Sequence, residues 1–302
     1  MDRDFKKIIK ERRTKDFPHT FEIVHDTFLT LKLDSKDSDY FFKNASFIVE
    51  SLRDENWNTF LKYERKFSEK IYKTLIRKDI DSFKARQAVE NYIEENVDNF
   101  YTLSLSNTQS RRSRAGSEFE DIISHLFMGA GIPFDEQGLI GTGLFEDTNL
   151  AKLVDHVIPG AIEYRINKRN TLALSAKTTL RERWQQIGDE MQRTRMPEMY
   201  LATLDEKIGE NTLTQLRNNN IYPVTTFNIK KEKYNDNNLV LTFEELLELA
   251  KDKSNFWKAN DFSKEELDEK IKTLKKIKEE HINRPYVVSY IDNQIYRLEN
   301  NK

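Results

Sequence analysis

The sequence predicts an α/β protein: a mixed β-sheet flanked by helices, with helical additions at both ends. Two observations lead there. In Thr171–Met191 (TLALSAKTTLRERWQQIGDEM) the period changes partway. Leu172, Leu174 and Ala176 alternate with Ala173, Ser175 and Lys177 as in a strand, and Leu180, Trp184, Ile187 and Met191 then recur at helical spacing. Eight of the nine glycines also fall between Gly116 and Gly188, whereas the flanks are nearly glycine-free and rich in Lys, Glu, Asn and Phe.

A chain of 302 residues holds one large domain or two small ones, and 37% hydrophobic content is enough to bury a core. The absence of cysteine excludes disulfides and thiolate metal sites. A net charge of −2 gives no global sign of nucleic-acid binding, so local charge has to carry any such reading. No apolar run approaches membrane-spanning length, and MDRDFKKIIKERR lacks the apolar stretch of a signal peptide, so a cytoplasmic protein is expected.

Taken in order, residues 1–105 read as mainly helical. Phe41, Phe47, Ile48 and Leu52 line a helix from about Ser38, and Trp57–Leu75 and Asp81–Phe100 are also periodic. Ser104–Arg114 (SLSNTQSRRSR) is polar and basic and reads as a loop. Ser117 with Glu120 then forms a capping box for a helix with Phe119, Ile122, Ile123, Leu126 and Phe127 buried and Gly129 at its end. Gly131, Gly138, Gly141 and Gly143 punctuate the connection that follows. Leu150–Ile158 reads as a short strand carrying Asp155, stopped by Pro159-Gly160.

Thr179 and Glu182 form a second capping box, which places Lys177 at a strand end and Arg181, Glu182 and Arg183 in the next helix's first turn. Strands are expected at Met199–Leu204 and Tyr222–Phe227 with a helix between them. Helices return past Phe243, one through Leu267, Ile271, Leu274 and Ile277 and one over Tyr286–Leu298. The chain divides on this reading into a helical region 1–105, a core 106–235 and a helical extension 236–302.

An isolated carboxylate such as Asp155 in a strand is costly unless it is paired or bound to metal. Lys177 follows 22 residues later, at the end of the neighbouring expected strand. That is the spacing of the PD-(D/E)xK nuclease pattern, in which carboxylates hold a divalent cation beside a lysine. One position departs from it: Ser175 stands where the second acid is expected. Glu190, flanking the apolar stripe of the following helix, is a replacement, and Glu120 is a candidate for the outer part of the site. Between Gly160 and Arg195 there are eight Lys/Arg against four Asp/Glu, a locally basic region in an acidic protein.

The run Ser175-Ala-Lys-Thr-Thr-Leu-Arg-Glu-Arg-Trp184, followed by Glu190, resembles the SsoII-like type II restriction endonucleases and is similar to EcoRII, PspGI and NgoMIV, enzymes that read CCGG, CCNGG or CCWGG. The resemblance is strong over Gln109–Glu190 and weaker over the N-terminal helices. It implies a PD-(D/E)xK fold with the second acid displaced onto the helix, and a Mg²⁺ held by Asp155 and Glu190. It also implies that Lys177 assists the chemistry and Glu120 tunes the acidic cluster. Arg181 and Arg183 would donate to guanines and Glu182 accept from cytosine amino groups, as their hydrogen-bonding edges allow. Gln109 matches a minor-groove contact. Arg53 and Trp57 match a pair that sandwiches a flipped central base, which favours a CCNGG-type site. The implied partners are double-stranded DNA, a second copy of the chain (as a homodimer or a transient tetramer) and a cognate DNA methyltransferase.

Plainer explanations exist for several of these residues. Asp155 suits a buried ion pair, and Glu120 and Glu182 suit capping alone. Glu190 suits an exposed helix face, Trp57 beside Phe60 and Leu61 suits a core, and His156 reads as packing. A repair or junction nuclease reading DNA shape, or a DNA-binding regulator without catalysis, are the competing functions.

Overall fold

The computed structural model describes residues 3–141, 144–145, 154–180, 195–234, 237–258 and 261–300. The N-terminal third is helical: α1 (Arg3–Asp16), α2 (Thr20–Thr30), α3 (Ser38–Thr74) and α4 (Ala85–Ala130). Helix α3 begins where Asp37 Oδ1 accepts the Tyr40 N–H at 2.9 Å. It kinks at Asn44, whose φ of −128° is non-helical and whose Nδ2 donates to the Tyr40 carbonyl at 2.8 Å. Before the kink and just after it, Phe41, Ala45, Ile48, Val49 and Leu52 face the main core. Farther on, Phe60, Phe67 and Ile71 pack on Phe5 and Ile9 of α1 and on Leu103 of α4.

Ser104–Arg114 is not a loop but the middle of the 46-residue α4. Its polar residues are used against neighbouring helices. Asn107 bonds Ser68 and Arg13, Arg111 is paired with Glu64, and Arg114 donates to the Pro18 carbonyl at 2.8 Å. Local propensity favours a break there, and these long-range contacts override it. Ser117 and Glu120 accordingly lie inside the helix and do not start it. The end also moves: Gly131, at φ +68°, is the left-handed cap, with its N–H on the Met128 carbonyl at 3.0 Å. Gly129 serves packing instead, since a Cβ there would lie 2.0 Å from the Phe41 ring.

The remaining described elements are β1 (Asp135–Glu136), β2 (His156–Ile158), α5 (Ala161–Asn167), β3 (Leu172–Ala176), β4 (Met199–Ala202), α6 (Glu210–Asn218), β5 (Ile221–Thr225), α7 (Phe227–Lys233), β6 (Leu241–Thr242), α8 (Phe243–Phe256), α9 (Lys264–Glu280) and α10 (Pro285–Asn300). The strands form one six-stranded sheet in sequence order. β1, β2 and β3 pair antiparallel, and β3 to β6 run parallel. This is the mixed α/β sheet expected, covered on both faces.

On one face Leu172, Leu174, Ala176, Tyr200 and Ala202 meet Ile48 of α3, Phe127 of α4 and Phe243 of α8. On the other, Ala173, Met199 and Leu201 meet Ile162 of α5 and Leu213 of α6. Two-sided cover explains why every residue of β3 is buried. The C-terminal pair α9 and α10 seats Ile277, Val287 and Ile291 against Phe21 and Met128. No helix among the described residues is long and apolar enough to cross a membrane.

Candidate active site

The pairing of β2 with β3 determines where the charged residues meet. His156 lies opposite Leu174, so Asp155 sits beside the C-terminal end of β3. Asp155 precedes the first residue of β2 instead of lying mid-strand, although its N–H still joins the ladder through the Leu174 carbonyl at 2.9 Å. Lys177 leaves β3 with its N–H on the Ala202 carbonyl of β4, also at 2.9 Å. Its ammonium Nζ is 2.9 Å from Asp155 Oδ2. The same oxygen accepts the Ala176 N–H at 2.6 Å and lies 3.3 Å from Ser175 Oγ. Both charged side chains remain about a fifth exposed, 19% for Asp155 and 20% for Lys177. Ser175, standing where an acid was expected, thus supports the aspartate through its hydroxyl.

Glu120 approaches from α4. Its carboxyl is raised to about 7, chiefly by burial and then by the Asp155 charge, with His156 and Lys177 opposing the rise. Its neighbour Glu118 is also pushed up to about 7 by burial, against the opposing charges of Arg53 and Arg114. Asp121 is raised well above the carboxylate range, again chiefly by burial. These three acids fall within one turn of α4, and of them Glu120 faces the Asp155–Lys177 pair, Glu118 faces Arg53 and Arg114, and Asp121 bonds Thr20.

Arg53 and Trp57 project from α3 one turn apart. Arg53 is held by the Glu118 carboxylate at 3.7 Å and the Ala115 carbonyl at 3.5 Å. Trp57 is 40% exposed; its ring stacks on Phe60 at 5.5 Å between centroids, and the Arg111 guanidinium lies 5.9 Å from the indole centroid. Gln109 is exposed on α4. Glu190 and the triplet Arg181, Glu182 and Arg183 lie outside the described residues. The chain entering the triplet is anchored, because the Leu180 N–H donates to Asp205 Oδ2 at 3.0 Å.

Two residues near Asp155 escape a reading of the sequence: Ser124, one turn after Glu120, and Glu136 on β1. The one signal for Glu136 is an acidic pair, Asp135-Glu136, directly ahead of the glycine-rich stretch 138–143.

Comparison with known proteins shows the family and the fold. The family model for the EcoRII C terminal matches residues 60–247. The chain is 43% identical over 296 residues to the type II restriction enzyme SsoII of Shigella sonnei, covering 98% of this chain and 97% of that one. It is 29% identical over 139 residues to the type II restriction enzyme EcoRII of Escherichia coli, 45% of this chain and 32% of the relative. Metal-depleted Ecl18kI in complex with uncleaved DNA superposes with a TM-score of 0.88 at 42% identity, over 97% of this chain and 98% of that one. PspGI in complex with substrate DNA shares the fold, with a TM-score of 0.58 at 16% identity over 81% and 96% of the two chains.

The molecule is thus a type II restriction endonuclease with the PD-(D/E)xK fold, a site-specific deoxyribonuclease that binds DNA. Within that class the chain belongs to the EcoRII C-terminal family, in the branch that contains SsoII.

Type II restriction endonucleases generally need a divalent metal, and the donors here suit one. Asp155 offers oxygen donors suited to a hard divalent cation, and the nearby Glu120 carboxyl, raised chiefly by burial and then by the Asp155 charge, would be offset by one. Among the described residues no group of three or more His, Asp or Glu side chains gathers as a metal cage.

Proposed function

We propose that the enzyme hydrolyses double-stranded DNA at a palindromic CCNGG-type site with Mg²⁺, leaving 5′-phosphate ends. The observation that carries this reading is the Lys177–Asp155 contact of 2.9 Å at the sheet end, beside the partly buried Glu120. Asp155 and Glu190 hold the metal, which when bound supplies an acidified water and charge stabilisation at the phosphate. Lys177 lies beside the attacked phosphate, where its charge offsets the negative charge that develops. Glu120 adjusts the charge of the cluster and is not a primary ligand.

Arg181 and Arg183 donate to guanine O6 and N7 in the major groove, and Glu182 accepts from cytosine N4. Gln109 contacts the minor groove. Arg53 and Trp57 clamp the central base once it has left the stack, guanidinium on one side and indole on the other. The fixed Arg53 and the part-exposed indole support that role. In functional terms residues 1–105 contribute DNA contacts, 106–235 carry the catalytic core and 236–302 form a helical extension. The protein acts in the cytoplasm beside a cognate methyltransferase.

One triplet reads one half-site, so a palindrome requires two copies. On α4, Val89, Ile93, Val97, Tyr101 and Leu105 recur every fourth residue and are 46–66% exposed. Such an i+4 ridge packs well against the same ridge of another helix, which supports a homodimer.

Digestion of one sequenced plasmid with Mg²⁺, followed by mapping of the ends, tests the whole reading. Ends confined to CCNGG sites uphold it. Cuts at branched DNA regardless of sequence would replace it with the shape-reading nuclease.

A further inference from the structure

A buried polar cluster lies behind the Asp155–Lys177 pair, and the function proposed above does not use it. Ser124 of α4, Glu136 of β1 and His156 of β2 are 0%, 3% and 0% exposed. Ser124 Oγ donates to Glu136 Oε2 and lies 2.8 Å from His156 Nε2 and 3.1 Å from the Glu120 carbonyl oxygen. His156 Nε2 is itself 3.3 Å from Glu136 Oε2. The other carboxylate oxygen, Oε1, accepts the Ile140 N–H at 3.2 Å.

The loop after β1 is wrapped tightly around this carboxylate. A Cβ at Gly138 would lie 2.6 Å from Glu136 Oε1, and one at Gly141 would lie 1.8 Å from the Glu136 carbonyl oxygen. Those contacts account for two glycines that fit no nucleotide-binding pattern.

The protons can be placed. An ionised carboxylate only accepts, and a serine hydroxyl has one proton to give. With that proton directed at Glu136, the hydroxyl oxygen accepts from His156 Nε2–H. His156 Nδ1 is buried without a hydrogen-bond partner. Among the described residues Glu136 has no Lys or Arg partner, and Ser124, His156 and the Ile140 N–H surround its carboxylate instead.

We propose that Glu136, acting through Ser124 and His156, is a positioning residue that sets the spacing of Asp155 and Glu120 and thereby the affinity of the site for its divalent cation. His156 is the chain neighbour of Asp155, and Ser124 stands one turn after Glu120. The cluster therefore joins the two segments that carry the acids. This inference rests on the assignment of Asp155 to the metal site.

Two variants test it. Ser124→Ala removes the bridge but leaves the direct Glu136–His156 approach. Glu136→Gln keeps an oxygen for the Ile140 N–H and presents a donor to Ser124. Mn²⁺ binding to the DNA-free enzyme is read from the electron paramagnetic resonance signal of free Mn²⁺. Single-turnover cleavage is followed across Mg²⁺ concentration, and DNA binding is measured without metal.

Partners outside the ligand shell are typically worth about 10–100-fold in metal affinity. Each variant is expected to weaken Mn²⁺ binding by about that factor, with an equal shift of the Mg²⁺ midpoint. Metal-free DNA binding should not change, and the rate should recover at saturating Mg²⁺. Unchanged Mn²⁺ affinity, or a lower maximal rate with an unmoved Mg²⁺ midpoint, would overturn the proposal. Asp155→Ala separates the two levels. If it cuts normally, the metal-site assignment fails; if it is inactive while both variants bind Mn²⁺ like the parent, only the positioning role fails. Should one variant not fold, the other carries the same test.

Discussion

Replacing Glu118 by Gln should stabilise the DNA-free protein at pH 8 and leave it almost unchanged at pH 5. Glu118 is 7% exposed, and burial lifts its carboxyl from 4.5 to about 7 despite Arg53 at 3.7 Å. Because the folded value lies above the unfolded one, no penalty exists below about pH 4.5, where both states are protonated. As pH rises the unfolded chain ionises first and is favoured, and the penalty is complete above about 7. At 1.36 kcal/mol per pH unit the rise corresponds to about 3 kcal/mol as an upper value. For a chain of this size that is a melting shift of about 5 °C.

Thermal melts with a chelator present, at constant ionic strength from pH 5 to 8, read the difference directly. Glu120 is raised in parent and variant alike, so its slope cancels, and Asp121 loses only the smallest of its raising causes, the Glu118 charge, which adds to the same direction of change. Arg53→Ala supplies the opposite arm: without the opposing guanidinium, the loss of stability between pH 5 and 8 should steepen. A gap between Glu118→Gln and parent that is no larger at pH 8 than at pH 5, or an Arg53→Ala profile that flattens, would refute the reasoning. Either result would mean that Glu118 is ionised and well paired, and that Arg53 is held by something else.

Asp155→Ala and Lys177→Ala should each lower single-turnover cleavage by about 10²–10³-fold or more, while metal-free binding to the specific site persists in gel-shift assays. Arg183→Ala should cost roughly 1–3 kcal/mol of discrimination at one guanine, measured as competition between specific and altered duplexes; a uniform loss over all sequences would assign it to phosphates instead. Trp57→Ala should abolish the fluorescence rise of 2-aminopurine placed at the central base and weaken binding by about 1–3 kcal/mol; an undiminished signal would remove the indole from base capture. Val97→Glu, which puts a charge on the exposed ridge of α4, should shift sedimentation of the free enzyme toward the monomer. An unchanged sedimentation coefficient would place the interface elsewhere.

Elements with a strong period were legible. The strand at Leu172–Ala176 was legible because successive side chains point to opposite faces of the pleat and cover on both faces keeps all five small or apolar, and the helix from Ser38 carries its apolar stripe at helical spacing. The proximity of Asp155 and Lys177 was legible too, since adjacent antiparallel strands bring those positions to one sheet end. The break at Ser104–Arg114 was misread because Ser, Asn and Arg say little about helix until their partners are known. Glu64, Ser68, Pro18 and Arg13 supply those partners from far away in the chain. Gly129 was misread for a related reason: a glycine ending a helix and a glycine admitting a neighbouring ring look alike in one dimension.

The mixed α/β class, the local basic region and the presence of carboxylates and a lysine suited to a cation follow from the amino acids alone, because they depend on period, charge and hydrogen-bonding capacity. The short strands β1 and β6 and the helix α5 between β2 and β3 carry too little period to be read. What the tertiary structure decided is which polar groups share one desolvated space. Glu118 next to Arg53, and Ser124 between Glu136 and His156, are joined across 65, 12 and 32 residues of chain. Burial and proximity set the protonation of such groups, and neither is a property of any single stretch of sequence.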